Sequence, residues 1–182
     1  IQKKFLVTQS VKLISSALPD GRIMKELSGF IGSSSLKDKK GRLFIIRGKT
    51  DIVIEFKTKP KKYGIIDLKT TKLNPSKIEN YKLQLESYAT IFQNPNSKTP
   101  KLSNIEELGL YLFEPKEITN ISKKNCNMKF ETLYLKGNRC HDELINRVTD
   151  IIDIFLMKES PEYNSACASC KFVISLKKEK YI

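Results

Sequence analysis

The sequence predicts a mixed α/β domain, and three observations predict it. Apolar residues recur at helical spacing in three stretches, while β-branched and aromatic residues concentrate in others. The two kinds follow one another as helix, three strands, helix, strand, strand, helix, an order satisfied by a mixed sheet covered with helices. The 182 residues, 40% hydrophobic and 29% charged, suffice for one buried core, so we expect a single domain over residues 1–182. That composition excludes disordered, fibrous and membrane-embedded classes.

Residues 5–18 place Val7, Val11, Ile14 and Leu18 at helical spacing, predicting a helix stopped by Pro19-Asp20-Gly21. Residues 23–31 fit strand and helix equally, and Gly32-Ser33-Ser34-Ser35 with the charged stretch 37–42 reads as a loop. Residues 43–46 and 52–56 read as strands around Gly48, and a turn at 58–62 leads to a third strand, 63–69, completing a meander. Asn74-Pro75-Ser76 introduces a helix with Ile78, Tyr81, Leu85, Ala89 and Phe92 on one face, ended by Asn94-Pro95. Two strands, 108–113 and 130–135, and a closing helix, 143–157, bearing Leu144, Val148, Ile151, Ile152 and Phe155, complete the order.

The charge narrows the partners. With 33 Lys+Arg against 20 Asp+Glu the net charge is +13, which favours polyanions because cationic surfaces release condensed counterions from nucleic acid. The lysine-rich runs 37–40, 57–62 and 177–180 fit either phosphate contact or solvated surface. No run approaches the roughly 20 apolar residues that span a bilayer, and the start lacks a secretory h-region. A cytoplasmic protein without a membrane partner is the expectation. Because the chain opens on Ile1 rather than Met, a fragment or trimmed chain, with residues ahead of Ile1, is among the expectations.

Four cysteines, Cys126, Cys140, Cys167 and Cys170, are then expected as reduced thiols. Only Cys167-Ala168-Ser169-Cys170 has ligand spacing, and one CxxC is half of a four-ligand zinc or iron–sulfur site. The single histidine, His141, falls just before the last helix and reads as a capping or surface residue.

The chemistry concentrates in the meander. Asp67 and Lys69 stand at i and i+2 on a strand, so both side chains leave one face. Asp51 begins the preceding strand, where antiparallel pairing brings it beside Asp67. Two carboxylates about 4 Å apart repel by about 4 kcal/mol at an effective dielectric of 20, and a divalent cation converts that repulsion into binding. Oxygen ligands without His or thiolate select a hard ion such as Mg²⁺ or Mn²⁺, which polarises a phosphodiester and acidifies bound water. Lys69 beside the developing charge completes a site for phosphodiester hydrolysis. The bare acid-x-Lys pattern also occurs at Asp38, Glu55 and Glu114. Asp38 lies in a polar loop, Glu55 runs into a lysine-rich turn and Glu114 precedes Pro115, so only Asp67 ends an apolar strand behind a second acid in register.

Gly48-Lys49-Thr50-Asp51, Asp67-Leu68-Lys69-Thr70 and Gln84-Leu85-Glu86-Ser87-Tyr88 together resemble the PD-(D/E)XK nuclease superfamily, and within it the RecB-like branch that includes CRISPR-associated RecB-type exonucleases and helicase-nuclease domains. The likeness covers roughly residues 43–92. It implies a restriction-endonuclease-like core, a central mixed sheet flanked by helices. It implies Asp51 and Asp67 as metal ligands with the Leu68 backbone carbonyl, Lys69 as catalytic lysine, and Gln84 and Tyr88 as active-site or DNA-facing residues. Family members often draw a further acid or histidine from an N-terminal helix. Residues 1–19 hold no Asp, Glu or His, which leaves Glu26, farther along the chain, as the candidate for that ligand. In the family's iron–sulfur subset one cysteine precedes the nuclease motifs and three follow. Cys167 and Cys170 match part of that pattern, but no cysteine precedes Cys126.

The leading expectation is therefore a Mg²⁺- or Mn²⁺-dependent DNA nuclease, an exonuclease by resemblance, acting on single- or double-stranded DNA in processing, repair or recombination beside a helicase, recombination or CRISPR partner. A catalytically degenerate nucleic-acid-binding module on the same fold is the alternative. A third reading is a metal-stabilised interaction domain organised by the CxxC pair, whose structure a chelator would dissolve.

Overall fold

A computed structural model describes residues 6, 9–27, 29–119, 121, 125–159, 161, 162, 164 and 166–178. The chain divides into two compact units, 1–146 and 147–182. The first is built on a five-stranded mixed sheet, β1 (Gly21–Ile23), β6 (Ile52–Phe56), β7 (Tyr63–Thr70), β8 (Ile105–Thr119) and β9 (Asn127–Gly137), in the order β1-β6-β7-β8-β9. Every pairing is antiparallel except β7 with β8, which are parallel. That pair needs a crossover, and α1 (Lys77–Gln93) supplies it. The expected mixed sheet with helices is the architecture found.

The strands form where the sequence is apolar on both faces. Ile65 and Ile66 of β7 and Leu110 and Leu112 of β8 are fully buried, as central strands covered on both sides require. On one face Val53, Ile65, Leu108, Leu110 and Leu112 pack with Leu85, Ala89 and Phe92 of α1. On the other, Ile52, Ile54, Ile66, Tyr111 and Phe113 are covered by Leu6, Val11, Ile14 and Leu18. Burying each such side chain is worth about 1.5–3 kcal/mol, so both covers are integral to the core.

The cover formed by the N-terminal segment is a correction to the expected helix. Among the described residues Leu6 is α-helical and Val11–Leu13 form a separate turn of 3₁₀ type, so no single helix runs through residues 9–18; Phe5 and Val7 lie outside the described residues. The spacing of Val11, Ile14 and Leu18 marked which residues are buried rather than the conformation that buries them. Ser10 Oγ accepts from Lys12 N–H at 3.2 Å and Ser15 Oγ from Ala17 N–H at 3.3 Å. These short-range bonds compete with a continuing helix.

The meander also differs from expectation. β6 and β7 pair as predicted, through a turn with a cis Lys59–Pro60 peptide, but residues 43–46 do not join them. β1 occupies that edge of β6 instead. Asp38, its side chain buried, accepts from the N–H groups of Lys40 and Arg42 and from Arg42 Nε. With Gly41 at φ +76° this closes a hairpin of β3 (Leu36–Lys37) and β4 (Leu43–Phe44), where a loop was expected. β5 (Arg47–Lys49) then pairs with β2 (Phe30–Gly32) as a second small sheet.

The strands β8 and β9 run longer than expected, with a bulge at Pro115. Helix α2 (His141–Phe155) starts two residues earlier than predicted, and α3 (Ala168–Lys178), which begins inside the CxxC segment, was not foreseen. Of the lysine run 177–180, residues 179 and 180 lie outside the described residues. Among the described residues no helix is long and apolar enough to cross a membrane.

Candidate functional site

The register of β6 against β7 fixes the centre of the site. Ile52 pairs with Ile66, so Asp51, one residue outside the ladder, stands opposite Asp67. Its Oδ2 accepts from the Leu68 N–H at 3.0 Å, which ties the loop before β6 to the carboxyl end of β7. Thr50 anchors the same loop from behind: fully buried, it donates through Oγ1 to the Leu27 carbonyl at 2.7 Å. In sheets with parallel strands, the crevice outside the carboxyl ends, where the chain leaves for a crossover helix, is the usual place for a ligand.

Asp67 and Lys69 leave β7 on the face covered by α1. Lys69 Nζ lies 2.7 Å from Asp67 Oδ2 as an ion pair, and that oxygen, otherwise buried, has no hydrogen-bond donor aligned on it. Gln84 Nε2 donates to Asp67 Oδ1 at 3.1 Å and to the Tyr88 hydroxyl at 2.6 Å. The Lys69 ammonium also stands 4.7 Å from the centroid of the Tyr81 ring, a cation–π contact. Tyr81, Gln84 and Tyr88 fall at i, i+3 and i+7 on α1, one helix face. The structure thus brings together Asp51, Asp67, Lys69, Gln84 and Tyr88, five residues singled out from sequence, and adds Tyr81, which sequence reasoning had assigned only to the apolar face of the helix.

The charges are unevenly held. Burial of Asp67, only 2% exposed, raises its pKa above the ordinary carboxylate value; Lys69 pulls it back and the Asp51 charge adds to the rise. For Lys69, burial opposes the ammonium, but Asp67 outweighs it with help from Tyr81 and Tyr88, so its pKa is raised. Both directions are consistent with one buried pair in which desolvation dominates at the carboxylate and attraction dominates at the more exposed amine. Lys69 is therefore a fixed cation near neutral pH.

Gly48 has a steric reason to be glycine. A Cβ there would lie 2.8 Å from Tyr88 Cε1, and Tyr88 is a buried ring that cannot swing aside. Gly48→Ala is expected to cost about 1–3 kcal/mol in urea unfolding and to weaken the Gln84–Tyr88 contact.

The other expected residues lie elsewhere. Glu26, on a short 3₁₀ turn, faces Arg22 at 3.7 Å with both side chains more than half exposed. Cys167 and Cys170 belong to the second unit, where Cys170 N–H donates to Cys167 Sγ at 3.2 Å. Hydrogen bonds from Cys170 lower the Cys167 pKa, while the Cys170 thiol, which donates, is raised. Cys140 Sγ donates to the Lys82 carbonyl at 3.6 Å and Cys126 is exposed. His141 opens α2, with Nδ1 3.4 Å from Thr90 Oγ1 and 3.6 Å from Glu86 Oε1. Among the described residues no cluster of three or more His, Cys, Asp or Glu is arranged to hold a metal; the Asp51–Asp67 pair offers two carboxylates.

That pair fits a hard divalent ion on its own chemistry. The donors are all oxygens, and one, Asp67 Oδ2, is a buried carboxylate oxygen whose charge is met by the Lys69 ammonium at 2.7 Å without an aligned hydrogen bond. Mg²⁺ commonly takes one or two protein carboxylates and fills its remaining positions with water and phosphate oxygens.

A sequence model of the PD-(D/E)XK nuclease superfamily matches residues 10–174. No curated protein matches the chain. Among solved structures, that of SSO0001 is similar at 16% identity and a TM-score of 0.44, covering 79% of this chain and 57% of the other. The chain thus spans little more than half the length of that protein.

Proposed function

The chain belongs to the PD-(D/E)XK nuclease superfamily, and from that premise we propose that it is a Mg²⁺- or Mn²⁺-dependent DNA nuclease of RecB-like type, cleaving as an exonuclease in concert with a helicase, recombination or CRISPR partner. The observation that carries the reading is the convergence of Asp51, Asp67, Lys69 and Gln84 at the carboxyl end of β7. Three separated sequence stretches meet there, and none of these side chains is needed to fill the apolar core.

Asp51 and Asp67 would hold the ion, with the Leu68 carbonyl as a further ligand. When bound, such an ion polarises the phosphoryl oxygens and lowers the pKa of water. The chain's own residues do the rest. Lys69, charged near neutral pH, faces the negative charge that builds on the phosphate and is poorly suited to act as a base. Gln84 holds the Asp67 carboxylate by one oxygen. Tyr81 and Asp67 together fix the reach of Lys69, so that little reorganisation is needed at the moment of reaction.

A non-catalytic DNA-binding module is the second reading, favoured by the pairing of Glu26 with Arg22, which leaves the site with two acids. One experiment separates the two. End-labelled single- and double-stranded DNA is incubated with the protein in Mg²⁺, Mn²⁺ or EDTA, with Lys69→Ala prepared in parallel as the control for contaminating nuclease. Metal-dependent cleavage that falls at least about 100-fold in the variant is expected, with mononucleotide release if the enzyme works from ends. Equal cleavage by both proteins, or none in any metal, would overturn the nuclease reading.

A further inference from the structure

The small sheet of β2 and β5 turns two different faces to its surroundings. Ile31 and Gly48 pair across it and face inward, Ile31 into the core and Gly48 onto Tyr88. The outward face carries the pairs Phe30 with Lys49 and Gly32 with Arg47. Phe30 is 88% exposed, with the Lys49 ammonium 5.4 Å from its ring centroid. Exposure alternates strictly along residues 43–49, and Leu43 and Ile45, in the chain that leads into β5, are exposed like Arg47 and Lys49. Isolated exposed apolar residues are ordinary, but a row of them interleaved with cations is not.

Beside this row opens a cavity of about 530 Å³, lined by Phe30, Gly32, Arg47, Asn96, Lys98 and Thr99 among others. Within its lining Gly32 is tied to the facing loop: its N–H donates to Thr99 Oγ1 at 3.0 Å and its carbonyl accepts from the Asn96 N–H at 3.0 Å. Arg47 and Lys98 both line it, and neither has an acidic partner among the described residues. The place is close to the candidate active site. Lys49 is two residues from Asp51, about 7 Å along extended chain, and Gly48 touches the Tyr88 ring.

An exposed aromatic ring beside unpaired cations is how proteins bind single-stranded nucleic acid: bases stack on the ring while the cations follow the phosphates. A duplex keeps its bases stacked on one another and would leave Phe30 unused. Resting on the nuclease reading for the identity of the ligand, we propose that the outward face of β2–β5 and the adjoining cavity form a subsite for the single-stranded stretch next to the scissile phosphate. A base stacks on Phe30, and phosphates lie against Arg47 and Lys98.

The test is equilibrium binding in EDTA, which removes cleavage, using fluorescence anisotropy of a labelled single-stranded oligonucleotide and of its duplex. Phe30→Ala is expected to weaken single-strand binding by about 5- to 100-fold with little change for duplex, and Phe30→Tyr to retain it. Arg47→Ala and Lys98→Ala are each expected to lower the slope of log affinity against log salt by about 0.7. In a series of oligonucleotides with one abasic position each, one position should weaken wild-type binding and have no further effect on Phe30→Ala. Phe30 is exposed, so these variants should fold, and an unchanged unfolding midpoint checks that they do. Wild-type-like single-strand binding by Phe30→Ala overturns the subsite, even where metal-dependent cleavage upholds the nuclease. A Phe30-dependent abasic penalty without cleavage in any metal upholds the subsite and overturns the nuclease.

Discussion

Asp67→Asn is expected to lower cleavage by on the order of 1,000-fold while making the metal-free protein more stable, not less, near neutral pH. The two effects share a cause. The Asp67 carboxyl is 2% exposed, and the hydrogen bond and charge of Lys69 do not offset the burial of its charge, to which the Asp51 carboxylate adds, so its folded pKa is raised. A group with a raised folded pKa contributes stability that is fully present below the unfolded value, about 3.9, and lost as pH rises through the folded value. Asparagine avoids the charge at every pH. The wild type and Asp67→Asn should therefore have similar thermal midpoints in acid and diverge toward neutral pH, the variant unfolding at the higher temperature. Adding Mn²⁺ should reverse the order, because a ligand that binds only the native state stabilises it by mass action and the variant lacks a ligand. Thermal scans across pH, with and without Mn²⁺, read both. A variant less stable than wild type at neutral pH would mean that Asp67 serves chiefly as a structural partner of Lys69.

This conflict between charge and burial explains why the site was the most legible part of the sequence. Asp67 and Lys69 interrupt a strand otherwise apolar on both faces, and the strand period alone places both on one side. Asp51 follows from the register of the neighbouring strand. Tyr81 was harder to assign, since an aromatic residue on a helix face reads as core and only its contact with Lys69 reveals a second use. Gly48 carried a signal, a glycine three residues before Asp51, but its reason lies in the Tyr88 ring, forty positions later. What the sequence concealed is mostly non-local. Nothing near Gly21–Ile23 announces that they pair with β6, and nothing in residues 43–46 says that the place beside β6 is already taken. Apolar spacing at Val11, Ile14 and Leu18 fits a helix and a 3₁₀ turn with coil equally well, and the neighbouring serines decide between them.

The most concealed element is Glu86, a mid-helix glutamate to which the sequence alone assigned no role. Its side chain is fully buried, and Arg139 grips it with two bonds, Nε to Oε2 and Nη2 to Oε1, each 2.8 Å. The Cys140 N–H adds a third at 3.0 Å. The pair fastens α1 to the chain between β9 and α2, and so fixes the helix that carries Gln84 and Tyr88. Burial pushes the Glu86 pKa up, but Arg139 and the Cys140 N–H more than compensate, leaving it below the ordinary value. Its contribution is thus present above the unfolded carboxylate pKa and lost as pH falls through the lower folded value.

Arg139→Ala removes the larger part of the compensation and leaves the buried charge with the Cys140 N–H bond, which should cost about 3 kcal/mol near neutral pH. That is the low end for breaking a buried pair, since Arg139 is 37% exposed. For a chain of this size the loss corresponds to roughly 6–12 °C in thermal midpoint. The pH dependence should change sign, because an unpaired buried Glu86 has its pKa raised. Arg139→Ala should then be least stable at neutral pH and approach wild type as acid neutralises Glu86, first in the variant and at lower pH in the wild type, whose folded value is lowered. Replacing both partners, Glu86→Leu with Arg139→Met, should restore most of the stability, as apolar substitutes for buried ion pairs generally do. Urea unfolding of the three variants at pH 7 and pH 4 tests the account. A loss under about 1 kcal/mol for Arg139→Ala, or a double variant weaker than the single, would mean that α1 is held by its apolar face alone.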